Sequence, residues 1–376
     1  MAKYRLGEIA PIQQGIPPIE YPCWLLNLDM VESNTGKILE YLYVQRDEIG
    51  SSTVSFDTSN VLYSKLRPYL NKVVLPDRGG FATSEMLPLR PDTKIITREY
   101  LTYYLRSPHF VGYINDKTRG AKMPRANTSD VKAVEIECPS IEKQKAIVDA
   151  FEHLTSIIDI YQRQILALDT LIKARFVEMF GECDYPHKEL IELIVEGAGL
   201  SYGIVQPGDD GTGDMGVLRP VDLSDGRIST ASIKYIDRSI GDGFKKTELT
   251  GEELLITVRG TTGITALTDA RFAGMNVTRG IAVIRYDQDK INPVYLNAYL
   301  NTEESQRYIQ EHTRGATLQQ INLSDLRVQQ ILVPPRALQD EYSSFVQQVD
   351  KSKSVVQASI KQAQLLFDSM MQQYFG

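Results

Sequence analysis

The 376-residue sequence predicts an α+β chain in which one unit is used twice. Each unit has a mixed α/β front and a long helical back, and the two helices pair antiparallel about an internal pseudo-twofold axis. Three observations predict this. Displaced by 195 residues, the chain matches itself at 21 of the 82 positions from 100 to 181 without a gap, where ordinary composition gives roughly 5. Each matched stretch ends in about 40 residues free of Pro and Gly, with apolar residues at heptad spacing. Upstream of residue 80 the halves diverge into short β-rich runs and Gly/Asp-rich loops.

The predicted order is a front over 1–140, a helix over 141–183, a second front over 184–335 and a second helix over 336–376. In the fronts, Val61 to Ser64, Val73-Val74, Leu87 to Leu89, Leu254 to Val258 and Ile281 to Arg285 read as strands. Tyr100 to Leu105, with Ile114 downstream, and Tyr295 to Ile309 read as helices. A turn shared by both halves follows, Thr118-Arg119-Gly120-Ala121 and Thr313-Arg314-Gly315-Ala316. A strand, Val134 to Cys138 in the first half, then leads to Pro139 and the long helix. The echo Leu6-Gly7-Glu8-Ile9 against Leu190-Ile191-Glu192-Leu193 is all that links the two starts.

In the first long helix Ile147, Leu154, Tyr161 and Leu168 alternate with Phe151, Ile158, Ile165 and Ile172 to form a seam, with Gly181 as its cap. In the second, Val349 and Val356 alternate with Ile360 and Phe367, and Lys353 interrupts the apolar row. A helix of forty residues at ~1.5 Å each is roughly 60 Å long. A twofold relation would place the fronts at opposite ends of the helix pair.

Composition is that of a folded protein, 42% hydrophobic and 24% charged. Net charge is −7, against nonspecific binding of nucleic acid, but residues 1–140 carry +1 and residues 182–335 carry −7. Three scattered cysteines, Cys23, Cys138 and Cys183, form no CxxC pair, which points to a reducing cytoplasm and no zinc site. Neither a signal peptide nor an apolar run long enough to cross a membrane is expected.

Signatures of catalysis are missing. Gly211-Thr212-Gly213-Asp214-Met215-Gly216 fits GxGxxG but precedes a strand-like run rather than a helix, unlike a dinucleotide site. There is no Walker lysine, the four histidines show no ligand spacing, and His153 reads as a solvated helix residue. Asp92-Thr93-Lys94 lacks the second carboxylate element of a nuclease, and Val333-Pro334-Pro335-Arg336 lacks the flanks of an adenine methyltransferase motif. Candidates for reading DNA are Lys65 and Arg67 after a strand, and Arg119, Lys122 and Arg125 after the first turn. In the second half they are Arg259 after a strand and Arg314, Gln319 and Gln320 at the second turn. Arg and Lys suit guanine edges and phosphates, and Gln suits adenine. Tyr63, Tyr69, Tyr103 and Tyr104 interleave with them. The plainer reading of Thr-Arg-Gly-Ala is a structural turn whose Arg bonds backbone carbonyls.

The alternation of divergent fronts with shared backs, and the run Thr-Arg-Gly-Ala, Asn-x-Ser-Asp, Pro, Gln, long helix, resembles the specificity subunit of type I restriction-modification systems. Asn127, Ser129, Asp130, Pro139 and Gln144, with Asn322, Ser324, Asp325, Pro334 and Gln339, stand at that family's shared positions. The resemblance implies that each front is a target recognition domain and each long helix a spacer. It implies a subunit without catalysis that reads a two-part site in double-stranded DNA and holds two methyltransferase subunits and restriction subunits. S-adenosylmethionine, ATP and Mg would belong to those partners, and no cofactor to this chain. Two other classes compete: a coiled-coil scaffold spacing two protein-binding heads, and a nuclease acting alone.

Overall fold

A computed structural model describes residues 2–118, 122–181, 183–208, 211, 213–224, 226–316 and 318–376. The chain forms two compact units, Met1–Arg163 with Gln357–Gly376, and Gln164–Val356. The first unit runs β1 (Ala2–Arg5), α1 (Leu6–Ile9), β2 (Cys23–Leu26), β3 (Leu42–Val44), β4 (Thr53–Phe56), β5 (Val61–Ser64), β6 (Val73–Val74), β7 (Gly80–Thr83) and β8 (Met86–Leu89). It continues through α2 (Arg98–Arg106), α3 (Pro108–Lys117), α4 (Thr128–Ala133) and β9 (Glu135–Cys138) into α5 (Ile141–Phe180).

The second unit holds the end of α5 and then β10 (His187–Glu189), β11 (Ser201–Tyr202), β12 (Met215–Leu218), β13 (Leu223–Ser224), β14 (Arg227–Ile228), β15 (Lys234–Ile236) and α6 (Arg238–Gly241). Next come β16 (Leu254–Thr257), β17 (Thr265–Leu267), β18 (Asn276–Val277), β19 (Ile281–Ile284), α7 (Pro293–Leu300), α8 (Glu303–His312), α9 (Leu323–Arg327), β20 (Gln330–Leu332) and α10 (Arg336–Phe375), whose end from Gln357 belongs to the first unit.

The two fronts share a topology that their sequences conceal. β1 pairs antiparallel with β9, as β10 does with β20. β5 lies between β6 and β8, as β16 lies between β17 and β19, all antiparallel. β2 pairs parallel with β7 and antiparallel with β3, as β12 does with β18 and β15. The expected divergence upstream of residue 80 is therefore one of side chains. A pleated strand requires apolar residues on its buried face, not particular ones, so topology outlasts identity. The weak echo at the two starts is a real equivalence: Leu6 N–H donates to Val134 O at 2.8 Å and Leu190 N–H to Gln329 O at 3.0 Å.

The predicted strands form, though the runs at 254 and 281 stop one residue early, at Thr257 and Ile284, and the run at 134 starts one residue late, at Glu135, because Val134 caps the preceding helix. The expected Tyr295 to Ile309 helix is two. Thr302 caps α8 by accepting from Ser305 N–H, and the break repeats at Ser107 before α3, where Pro108 cannot continue the preceding ladder.

Both long helices run the predicted 40 residues. In α5 the seam residues Ile147 and Phe151 are buried, Leu154, Ile158, Tyr161, Ile165, Leu168 and Ile172 are half-buried, and His153 is exposed. In α10 Val349 and Val356 are buried while Ile360 and Phe367 are half-buried. Within the first unit Phe151 packs on Phe367 at 5.0 Å between ring centroids. Within the second, Phe176 packs edge-on against Tyr342 at 5.4 Å, and Arg175 pairs with Glu341 at 2.9 Å. Partner numbers fall as α5 advances, so the helices run antiparallel. Lys353 does not weaken the seam as its sequence position suggests. It is 7% exposed and paired with Asp169, with Asp350 at 3.8 Å.

Candidate nucleic acid interface

Each front carries the same hydrogen-bonded frame where a central strand runs out of its sheet. In the first unit the chain leaves β5 at Ser64. Lys65 N–H donates to Glu85 O at 3.0 Å, Lys65 O accepts from Ala126 N–H at 2.8 Å, and Arg67 N–H donates to Pro124 O at 2.8 Å. In the second unit Val258 N–H donates to Gly280 O at 2.8 Å, Val258 O accepts from Ile321 N–H at 3.0 Å, and Gly260 N–H donates to Gln319 O at 2.9 Å. Lys65 thus corresponds to Val258, Arg67 to Gly260, Glu85 to Gly280 and Arg125 to Gln320.

Both runs follow a strand, and on that ground alone Lys65-Leu66-Arg67-Pro68 stands beside Thr257-Val258-Arg259-Gly260, with Arg259 against Arg67. The bonds shift that register by one. Arg259 bridges Gln320 as Leu66 bridges Arg125. A one-residue slip exchanges the faces of a strand, so Arg259 and Arg67 are not counterparts.

On this common frame the side chains differ. In the first unit Glu85 accepts from Arg125 Nε at 3.1 Å and lies 4.0 Å from Lys65 Nζ. Arg67 and Lys122 are exposed. Arg67 has φ 49° and ψ 65°, a left-handed conformation that costs a residue with a Cβ about 1–2 kcal/mol. Gly260, at the same place in the second unit, has φ 85° and carries no such cost. Around Gly260 stand Arg259, the exposed Gln319, and Gln320, whose backbone exchanges two 2.8 Å bonds with that of Arg314.

Among the described residues the Arg314 side chain bonds no backbone carbonyl. Its guanidinium is 73% exposed and its ion partner is Asp325 at 3.9 Å. Arg119 and the Gly120-Ala121 that follow lie outside the described residues. Among the four interleaved tyrosines, Tyr63 and Tyr104 are core residues and Tyr103 stacks on Phe151 at 4.8 Å, which leaves Tyr69 exposed. Sequence reasoning missed Glu85 and Arg279. Arg279 is exposed beside Gly280, and a lone basic residue before a Gly and a strand was its signal.

Two matched glutamines hold the fronts to the long helices. Gln144 accepts from Thr97 N–H at 2.9 Å and donates to Ile95 O and Pro139 O at 2.8 and 3.0 Å. Gln339 accepts from Asn292 N–H at 2.8 Å and donates to Pro334 O at 2.8 Å. Both are buried. Tyr104 and Tyr299 tie the preceding helices to the last strand of each front, donating to Glu135 O and Gln330 O at 3.0 and 3.3 Å. Among the described residues no group of three His, Cys, Asp or Glu could hold a metal ion, and no helix is long and apolar enough to cross a membrane.

The chain is similar to the EcoDI specificity subunit of Escherichia coli, 28% identical over 163 residues, which are 43% of this chain and 36% of that protein. It is similar to the EcoBI specificity subunit of the same species, 21% identical over 276 residues, 66% of this chain and 58% of that one. The matches therefore span less than two thirds of these relatives. A solved chain described under complex assembly and conformational transition of the type I R-M system shares the fold. Its TM-score is 0.65 at 20% identity, with 100% of this chain and 97% of that one covered. The type I S subunit from M. genitalium also shares it, with a TM-score of 0.58 at 12% identity and coverage of 100% and 96%. The family model for the type I restriction modification DNA specificity domain matches residues 29–169 and again 210–364, so most of the sequence is accounted for by two copies of it. The chain belongs to the type I restriction modification DNA specificity domain family.

Proposed function

We propose that this chain is the DNA-recognition subunit of a type I restriction-modification complex. It reads a split, asymmetric site in double-stranded DNA, one part with each front. The observation that carries this reading is the shared frame at the end of β5 and β16, where three backbone bonds recur and the side chains they present do not. A frame kept twice with different polar residues suits two readers of different base sequences. Candidate contacts are Lys65, Arg67, Arg119, Lys122 and Arg125 in the first front, and Arg259, Arg314, Gln319 and Gln320 in the second, with Arg279 added by its placement.

Catalysis belongs to partners: two methyltransferase subunits, which bind S-adenosylmethionine, and restriction subunits, which use ATP and Mg. Those partners also supply much of the phosphate neutralisation that a chain of net charge −7 does not provide. Exposed apolar side chains on the long helices, such as Ile160 at 51% and Leu166 at 66%, suit a partner's face.

The test is a genome-wide map of methylated adenine in the source cell with and without the gene. One split motif should lose its methylation when the gene is removed; an unchanged map would reject the reading. The long helices set the separation of the two parts. One heptad inserted in each of α5 and α10 adds about 10 Å and should lengthen the unread gap by ~3 base pairs. A gap of the original length in that variant would sink the ruler.

A further inference from the structure

We infer that Arg67 is the residue through which the first front reads a guanine, an inference that rests on the function proposed above. Its backbone is disfavoured twice. It has φ 49°, a region that a side chain rarely enters, and it precedes Pro68, which drives the preceding residue toward extended conformations. The frame itself requires a positive φ here, since Gly260 at the matching place has φ 85°. Glycine is the residue that satisfies this requirement without strain, and the second front uses it. The first front carries an arginine instead, so the side chain supplies something that offsets its backbone cost.

That side chain is not consumed among the described residues. Arg125 and Lys65 are engaged by Glu85, at 3.1 and 4.0 Å. Arg67 is exposed, and no side-chain partner for it is found among the described residues. Its N–H is held by Pro124 O at 2.8 Å and its own carbonyl accepts from Leu70 N–H at 2.9 Å, so the backbone is fixed on both sides of a guanidinium that is unpaired among the described residues. A planar fork on a fixed backbone matches the O6 and N7 acceptors of guanine in the major groove. A phosphate would be served as well by lysine and would not need the fixed mount.

The test compares R67G, R67K and wild-type chains, each expressed with its partner subunits in the source cell lacking the native gene, by mapping methylated adenine. R67G places in the first front the residue that the second already uses, so its thermal midpoint should equal or exceed that of the wild type. Both variants should still require the part of the motif read by the second front. Discrimination at one G·C position of the other part should fall about ten- to hundredfold in R67G, and by less in R67K, whose ammonium reaches the same acceptors without the planar fork. An unchanged motif in R67G overturns the inference and leaves the proposed function standing. So does a uniform loss over all sites that R67K restores, which marks a phosphate contact. A wild-type chain that restores no methylation rejects the proposed function and this inference with it.

Discussion

Gln144 shows how much a single residue holds at the join of front and helix. Its amide satisfies three backbone groups, one of them the N–H of Thr97 that opens α2. Substitution by Ala leaves buried polar groups without partners, each costing about 1–3 kcal/mol. Q144A should therefore lower the urea unfolding free energy by roughly 2–4 kcal/mol, and a loss below 1 kcal/mol would deny the amide its role. The sequence made this residue legible, because Gln339 recurs 195 residues on, and in the structure it repeats two of the three bonds. It did not make Arg67 legible in the same way. Its basic character is plain in the sequence, but its left-handed backbone follows from bonds to Pro124 and Leu70 that form on folding.

The long helices are the best-read elements. Their length and their buried faces follow from spacing, since one stripe of a helix without Pro or Gly must find apolar cover. What spacing misjudged is Lys353. Its repeat counterpart is Ile158, and the counterpart of Asp169 is Gln364, so the charged pair occurs in one unit and not in the other. Breaking it leaves a buried ammonium. D169A should cost about 2 kcal/mol, below the roughly 3–5 of a fully enclosed pair, because Asp169 is half exposed and Asp350 remains near. K353M, which fills the space with apolar atoms, should be near neutral in the same thermal or urea unfolding measurement. A K353M loss as large as that of D169A would assign the stability to the charge itself. The sheets were read less well, because strands of two to four residues carry too little period to stand out.

For the whole molecule, the sequence by itself determined that one α+β unit is used twice, that each copy ends in a 40-residue helix, and which faces of those helices are buried. These follow from local physics: heptad spacing, the absence of Pro and Gly, and identities that recur at one offset. It also supplied the resemblance that membership of the DNA specificity domain family bears out over residues 29–169 and 210–364. The tertiary structure alone decided the rest. It showed that the divergent fronts share one topology, that Arg259 stands where Leu66 stands and not where Arg67 does, and that Glu85 ties two basic residues together. It also showed that Tyr63 and Tyr104 belong to the core. The physical reason is that these relations are hydrogen bonds and contacts between segments tens of residues apart. Strand register is set by which backbone groups meet, and the periodicity of either strand alone cannot state it.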